Sequence, residues 1–209
     1  FFLRDLGWSY ARFTLNALAF QAVQFLLVRW WGRAGDRYGN RAVIVATSCL
    51  LPVVPVLFAL TTNYWWLLAF QLVSGTAWSG YTIATQNFMF DAVSVPKRAR
   101  ISAYCTLLNG LATLMAGTLL GAWLASHLPA HWRFGGWSVD FASPLQALFI
   151  VSALLRLGAA LLLLPAFREV RPVEPIHPGL LLLRLSGGEA LAGLLQQAVA
   201  RLPLPRRRT

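Results

Sequence analysis

Covalent chemistry has few footholds in this chain. His127 and His131 have the spacing that places two imidazoles on one helix face, but Pro129 between them interrupts a helix, and no carboxylate or cysteine lies nearby to complete a ligand set. No metal site is expected. No Ser-His-Asp arrangement, paired acids or phosphate-cradling glycine loop followed by lysine is present either, so neither catalysis nor a cofactor is expected. Two kinds of residue remain: a compact charged turn at 32–41, and amides and hydroxyls embedded in long apolar runs. Their chemistry is non-covalent. Such groups hydrogen-bond a solute, or pair to hold and release a conformation.

The elements that must position them follow from composition. Of 209 residues 57% are hydrophobic and only 12% charged, with nine tryptophans, and the mean hydropathy is +0.59. That balance lies outside the range of soluble domains and indicates an all-α polytopic transmembrane helix bundle. A net charge of +11 would suggest nucleic acid in a soluble protein. Here the arginines cluster at the ends of apolar runs, so the expected partners are membrane lipids and no nucleic acid. Cys49 and Cys105 each lie inside an apolar run and read as small buried hydrophobes. The chain starts at Phe1 without an initiator Met or a secretory leader pattern, which points to a missing N-terminal part.

Five spans are expected within a transmembrane domain of residues 1–171, at about 10–31, 42–60, 65–90, 102–124 and 144–164. Ser9 is the expected cap of the first. Pro52 and Pro55 should kink the second, tolerable where neighbours satisfy the freed carbonyls. Thr113, Gly117 and Gly121 give the fourth a small-residue face. The loop 125–143 is polar and aromatic. Arg33, Arg37, Arg41, Lys97, Arg98, Arg100, Arg168 and Arg171 all fall on one side of the spans, against Arg4 and Arg133 on the other. The basic side is therefore expected to be cytoplasmic, in a multi-pass protein of the cell membrane whose C-terminus is cytoplasmic. Residues 172–209 form a basic tail rich in Pro, Leu and Arg, either disordered or carrying an amphipathic face of Leu191, Leu194, Leu195, Val199 and Leu202.

Within the bilayer each polar side chain needs a partner, so these positions point to a cavity. The candidates are Asn16, Gln21 and Gln24 in the first span, Gln71, Trp78, Tyr81, Thr82 and Thr85 in the third beside the further polar positions Ser74, Gln86 and Asn87, and Asn109 in the fourth. Gln71, Trp78, Thr82 and Thr85 recur on one helix face. Each alone has the competing reading of interhelical glue. Arg156 falls near the middle of the fifth span, where a cation costs at least ~2.5 kcal/mol unless it snorkels or pairs. It is a functional candidate, with pairing to a carbonyl or a lipid as the alternative.

At the charged turn, Gly32, Gly35, Asp36, Arg37, Gly39 and Arg41 fall into a pattern that resembles the signature loop of the major facilitator superfamily of secondary transporters. Asn40 stands where a basic residue is usual and Ala34 where Leu is common. The resemblance covers about 1–171 and implies a partial transporter fold, the C-terminal half from helices eight to twelve, with the N-terminal half of the same protein missing. It implies a secondary active transporter that moves an unknown small solute by alternating access, with a coupling proton or cation. It further implies that Asp36 is a gating-latch carboxylate amid Arg33, Arg37 and Arg41. Asp91, near the same surface, is expected to pair with Arg33, Arg37 or Arg100; the competing reading is that these charges only fix topology. Two other classes stay open: a membrane-embedded lipid-modifying enzyme, and a non-transporting receptor or assembly protein on the same scaffold.

Overall fold

The computed structural model describes residues 1–127, 131–134, 137–140 and 143–170. The expected tail, with Leu191 to Leu202, and Arg171 lie outside them. The described chain is a bundle of long helices, four of them long and apolar enough to cross a membrane. Helix α1 runs Tyr10–Tyr38, with the Ser9 hydroxyl accepting from the Arg12 N–H. Helices α2 (Asn40–Leu50) and α3 (Val53–Leu60) form one broken segment. The break falls at Leu51 and Pro52, because Pro52 and Pro55 both lack the N–H a continuous helix needs.

Helix α4 (Tyr64–Ala92) starts where Asn63 accepts from the Trp65 N–H at 3.0 Å. A short 3₁₀ turn, Val95–Lys97, leads into α5 (Arg98–Ala112), which continues through a π-helical stretch, Thr113–Leu120, into α6 (Gly121–His127). The 125–143 connection is more than a loop. Two four-residue strands, β1 (His131–Phe134) and β2 (Trp137–Asp140), pair antiparallel there, His131 opposite Asp140. Helix α7 (Pro144–Leu163) follows, opened by Pro144 and capped by Ser143, whose hydroxyl accepts from the Leu145 N–H at 3.1 Å.

The charged turn departs from expectation. Gly32, Gly35, Asp36 and Arg37 are all helical, and α1 ends only at Tyr38. A single residue, Gly39 at φ 91°, reverses the chain into α2, and its N–H donates to the Gly35 carbonyl at 2.9 Å. At 1.5 Å per residue the 29 residues of α1 reach roughly 43 Å, more than a hydrocarbon core of about 30 Å, so its polar last turns extend beyond the apolar layer. Arginine and aspartate are tolerated in such a helix because water solvates them.

Packing is uneven. More than half of the apolar window of α2–α3 is buried, against almost none in α1 or in the α5–α6 segment. The core gathers Trp31, Ala34, Val43, Ile44, Ala46 and Ala84, with Phe167 and Leu164 closing it from beyond α7. Small residues let the helices meet. Trp31 is fully buried, and its indole N–H donates to the Thr76 carbonyl at 3.0 Å. Cys49 and Cys105, expected inside, both face outward, which an apolar environment around the bundle accommodates.

At the end opposite the arginine cluster, residues 1–8 fold back over the bundle. Phe2 stacks on Trp8 at 4.7 Å, Trp8 meets Tyr64 edge-on, and Phe1 contacts Phe149. Asp5 ties this cluster to α7 by accepting from the Ser143 hydroxyl, and it also pairs with Arg4 at 2.8 Å. The Ser143 hydrogen bond, followed by that from Arg4, holds the Asp5 carboxyl below its ordinary value of 3.8. A depressed carboxylate stabilises docking above the unfolded value and loses that contribution as pH falls through the lowered folded value. The protection of the Asp5 to Trp8 amides, their exchange rate relative to that of an unstructured peptide at the same pH, should therefore be flat at neutral pH and fall only below a pH of 3.8. In Asp5→Asn this acid response should disappear.

Candidate functional site

Two cavities flank neighbouring faces of α4. The first is an open groove of about 390 Å³ between α1 and α4, lined by Gln21, Gln24, Ser79, Thr82 and Gln86 among Phe25, Val28 and Ile83. Its floor exists because the two helices approach closely. A Cβ at Gly75 would lie 2.9 Å from the Phe20 carbonyl oxygen, and the Ser79 hydroxyl donates to the Gln24 carbonyl at 3.0 Å. The groove thus presents side-chain amides and the Thr82 hydroxyl in a mostly apolar wall, as a polar-solute site requires.

The second space surrounds Arg156. A chamber of about 650 Å³ lies between α3, α4, α7 and the π-helical stretch. A smaller one of about 300 Å³, lined in part by Ser48, Trp78, Tyr81 and Phe167, lies on the other side of the guanidinium. Arg156 Nη1 donates to the Leu51 carbonyl at 3.4 Å, and the guanidinium carbon stands 5.7 Å from the centre of the Trp78 ring. Leu51 offers that carbonyl because the residue four positions on is Pro55, which has no N–H to fill it. This arginine of α7 therefore meets a helix defect in the neighbouring segment.

The expected one-face stripe on α4 divides between these spaces. Trp78 and Tyr81 border the Arg156 side, Thr82 borders the groove, and the Thr85 hydroxyl bonds its own helix at the Tyr81 carbonyl. Gln71 is half-buried on the same helix. Asn16 is buried on α1, and its Nδ2 finds no hydrogen-bond partner among the described residues. Asn109 is exposed on α5 and lies apart from both cavities.

At the arginine-rich end, Asn40 is the centre of a small knot. It is buried at 2% exposure and donates from Nδ2 to Asp91 Oδ2 at 2.8 Å. Its Oδ1 comes so close to α1 that a Cβ at Gly35 would sit 2.6 Å away. Gly35 therefore serves close approach rather than a turn. Asp91, expected beside an arginine, has this asparagine amide as a partner 51 residues upstream. Arg41 is fixed from the other side, its backbone N–H donating to Glu169 at 2.8 Å and its Nε to the Phe167 carbonyl at 2.6 Å. Glu169 thereby places an anion at the N-terminus of α2, where the helix dipole favours one. Asp36, Arg33 and Arg37 are exposed on the last turns of α1, with the Arg37 guanidinium over the Tyr38 ring, and Arg100 is exposed at the start of α5.

Sequence reasoning passed over Ser79, Asn40 and Glu169. A small hydroxyl among glycines signalled the first, and an amide in place of a basic residue signalled the second. Glu169 carried no local signal, since its role depends on a segment 128 residues away. Among the described residues no group of three or more His, Cys, Asp or Glu could hold a metal.

The comparisons agree with this architecture. Over 103 residues the chain is 32% identical to a protein named efflux pump azaK from Aspergillus niger, a match covering 49% of this chain and 21% of that pump. The chain thus spans about a fifth of the length of that relative. No solved structure matches it significantly. The family model described as Major Facilitator Superfamily matches residues 1–200, past the last described helix and into the tail. With a family match over most of its length and apolar helices long enough to cross a bilayer, this multi-pass membrane protein belongs to the Major Facilitator Superfamily.

Proposed function

We propose that the chain is part of a secondary active transporter that moves a small solute by alternating access, and that it is not an enzyme. The observation that carries this reading is the groove between α1 and α4, where Gln21, Gln24, Ser79, Thr82 and Gln86 converge from two otherwise apolar helices. Family membership supports it, and the name of the fungal relative favours export. In this reading the five helical segments correspond to helices eight to twelve, and α5 exposes its surface to lipid and to helices from the other half of the transporter. The arginine-rich end is cytoplasmic, and the C-terminus with it. The Asn40–Asp91 knot and Asp36 belong to the gate. A coupling proton or cation is carried outside these helices, whose membrane-spanning parts hold no carboxylate.

Accessibility tests this without knowledge of the solute. In a cysteine-free version of the full-length protein, Thr82→Cys should react with an impermeant maleimide both on intact cells and on inside-out vesicles. Adding Asp36→Asn should shift the ratio of the two rates about tenfold, the worth of one charged hydrogen bond. If Thr82→Cys reacts from neither side, the groove is not on a solute pathway. If it reacts from both and Asp36→Asn changes nothing, Asp36 is not a latch.

A further inference from the structure

We infer that the chamber around Arg156 is a binding site for an amphipathic anion, with a carboxylate or phosphate on the guanidinium and an apolar body in the 650 Å³ space. The site is separate from the α1–α4 groove and does not depend on the transport reading. Three observations place it. Arg156 is deep: at 1.5 Å per residue it lies roughly 18 Å along α7, and its partners Leu51 and Trp78 lie near the middle of their own segments. It is also under-used. A guanidinium has five N–H donors, yet among the described residues Arg156 makes one long hydrogen bond, to a neutral carbonyl, and no ion pair.

The space beside it is shaped for a hydrophobic body. Phe58, Leu120, Leu124, Phe149 and Leu155 wall the chamber, and its volume falls within the range of small-molecule sites. Arg156 also borders the smaller cavity, so an anion can approach it without displacing the Trp78 ring. A half-buried charge among apolar side chains, with no counter-charge, is costly, and a ligand that brings the counter-charge recovers part of that cost. A neutral amphiphile would not.

The chemistry has two sources, a free long-chain carboxylate or an anionic phospholipid of the bilayer. In detergent-purified full-length protein, binding of the fluorescent fatty acid cis-parinarate, displaced by palmitate or by uncharged hexadecanol, addresses the first. Native mass spectrometry with added phosphatidylglycerol or phosphatidylcholine addresses the second. Palmitate should displace far better than hexadecanol, or phosphatidylglycerol should be retained over phosphatidylcholine. Arg156→Gln should weaken the anion alone about tenfold.

Gly121→Phe supplies a second, independent variant. Gly121 lines the chamber, a Cβ there meets no atom within 4 Å, and Arg156 with its Leu51 bond is left unaltered by the substitution. It should block both palmitate and hexadecanol, or both lipids. Palmitate selectivity lost in Arg156→Gln identifies the free anion; phosphatidylglycerol retention lost in Arg156→Gln identifies the lipid. The proposal is overturned if neither anion is preferred, or if the preference survives in both variants; Arg156 would then serve only to fill the carbonyl that Pro55 leaves open.

Discussion

Gly80→Leu should prevent this bundle from assembling, and even Gly80→Ala should cost about 1–3 kcal/mol. A Cβ at position 80 would stand 2.6 Å from two atoms of the Trp31 ring and 2.7 Å from the Thr47 methyl, well inside contact distance. Neither neighbour can give way cheaply. The Trp31 indole is held by its bond to the Thr76 carbonyl, and the Thr47 hydroxyl is held by the Val43 and Ile44 carbonyls at 2.8 and 3.2 Å. Both are fully buried, so rotation would open a cavity where the new methyl does not fit.

The control is Gly110→Ala on α5, where the added methyl meets nothing within 4 Å. Its helix should be unharmed or gain up to roughly 1 kcal/mol from alanine's better helix propensity. Thermal aggregation of detergent-purified protein, followed by size exclusion, separates the two. Gly80→Ala melting together with the parent would mean that α1, α2 and α4 do not meet as described.

Thr82→Trp should abolish solute movement while leaving the protein folded and in the membrane. Thr82 is exposed into the groove and neighbours Gln86 and Ser79 on one helix and Gln21 and Gln24 on the other. An indole there occupies the space between the amides, and because Thr82 is exposed it makes little demand on the core. The comparison is Thr85→Trp, one turn away, where the hydroxyl already bonds its own helix. Loss of solute transport in Thr82→Trp at unchanged abundance is the expected result. Full activity in Thr82→Trp would remove the groove from the pathway.

Much of this architecture is written locally. Ser9 marks the start of α1, Ser143 with Pro144 marks the start of α7, and Pro52 marks the break in the second segment, because caps and proline act within a turn of where they stand. Gly35 misled for a physical reason: glycine permits a turn, but it also permits a side chain from another helix to come close. Only the position of Asn40 distinguishes the two at Gly35. The Asn40 bond to Asp91 was illegible likewise, since it depends on how α2 enters the bundle. The α4 stripe was legible as one face. Its division between two cavities depends on where α1 and α7 lie against it.

The contact between Arg41 and the segment after α7 sets an order of events during synthesis. Glu169 and Phe167 secure the first turn of α2, yet they are made 128 and 126 residues after Arg41. At a ribosomal rate of roughly 5–20 residues per second, that is a delay of roughly 6–26 s. Through that interval the arginine-rich end has α1, α2 and later α4 in place, while the start of α2 lacks its anion. The nascent helices therefore have time to tilt and re-register against one another before the last segment arrives to fasten them.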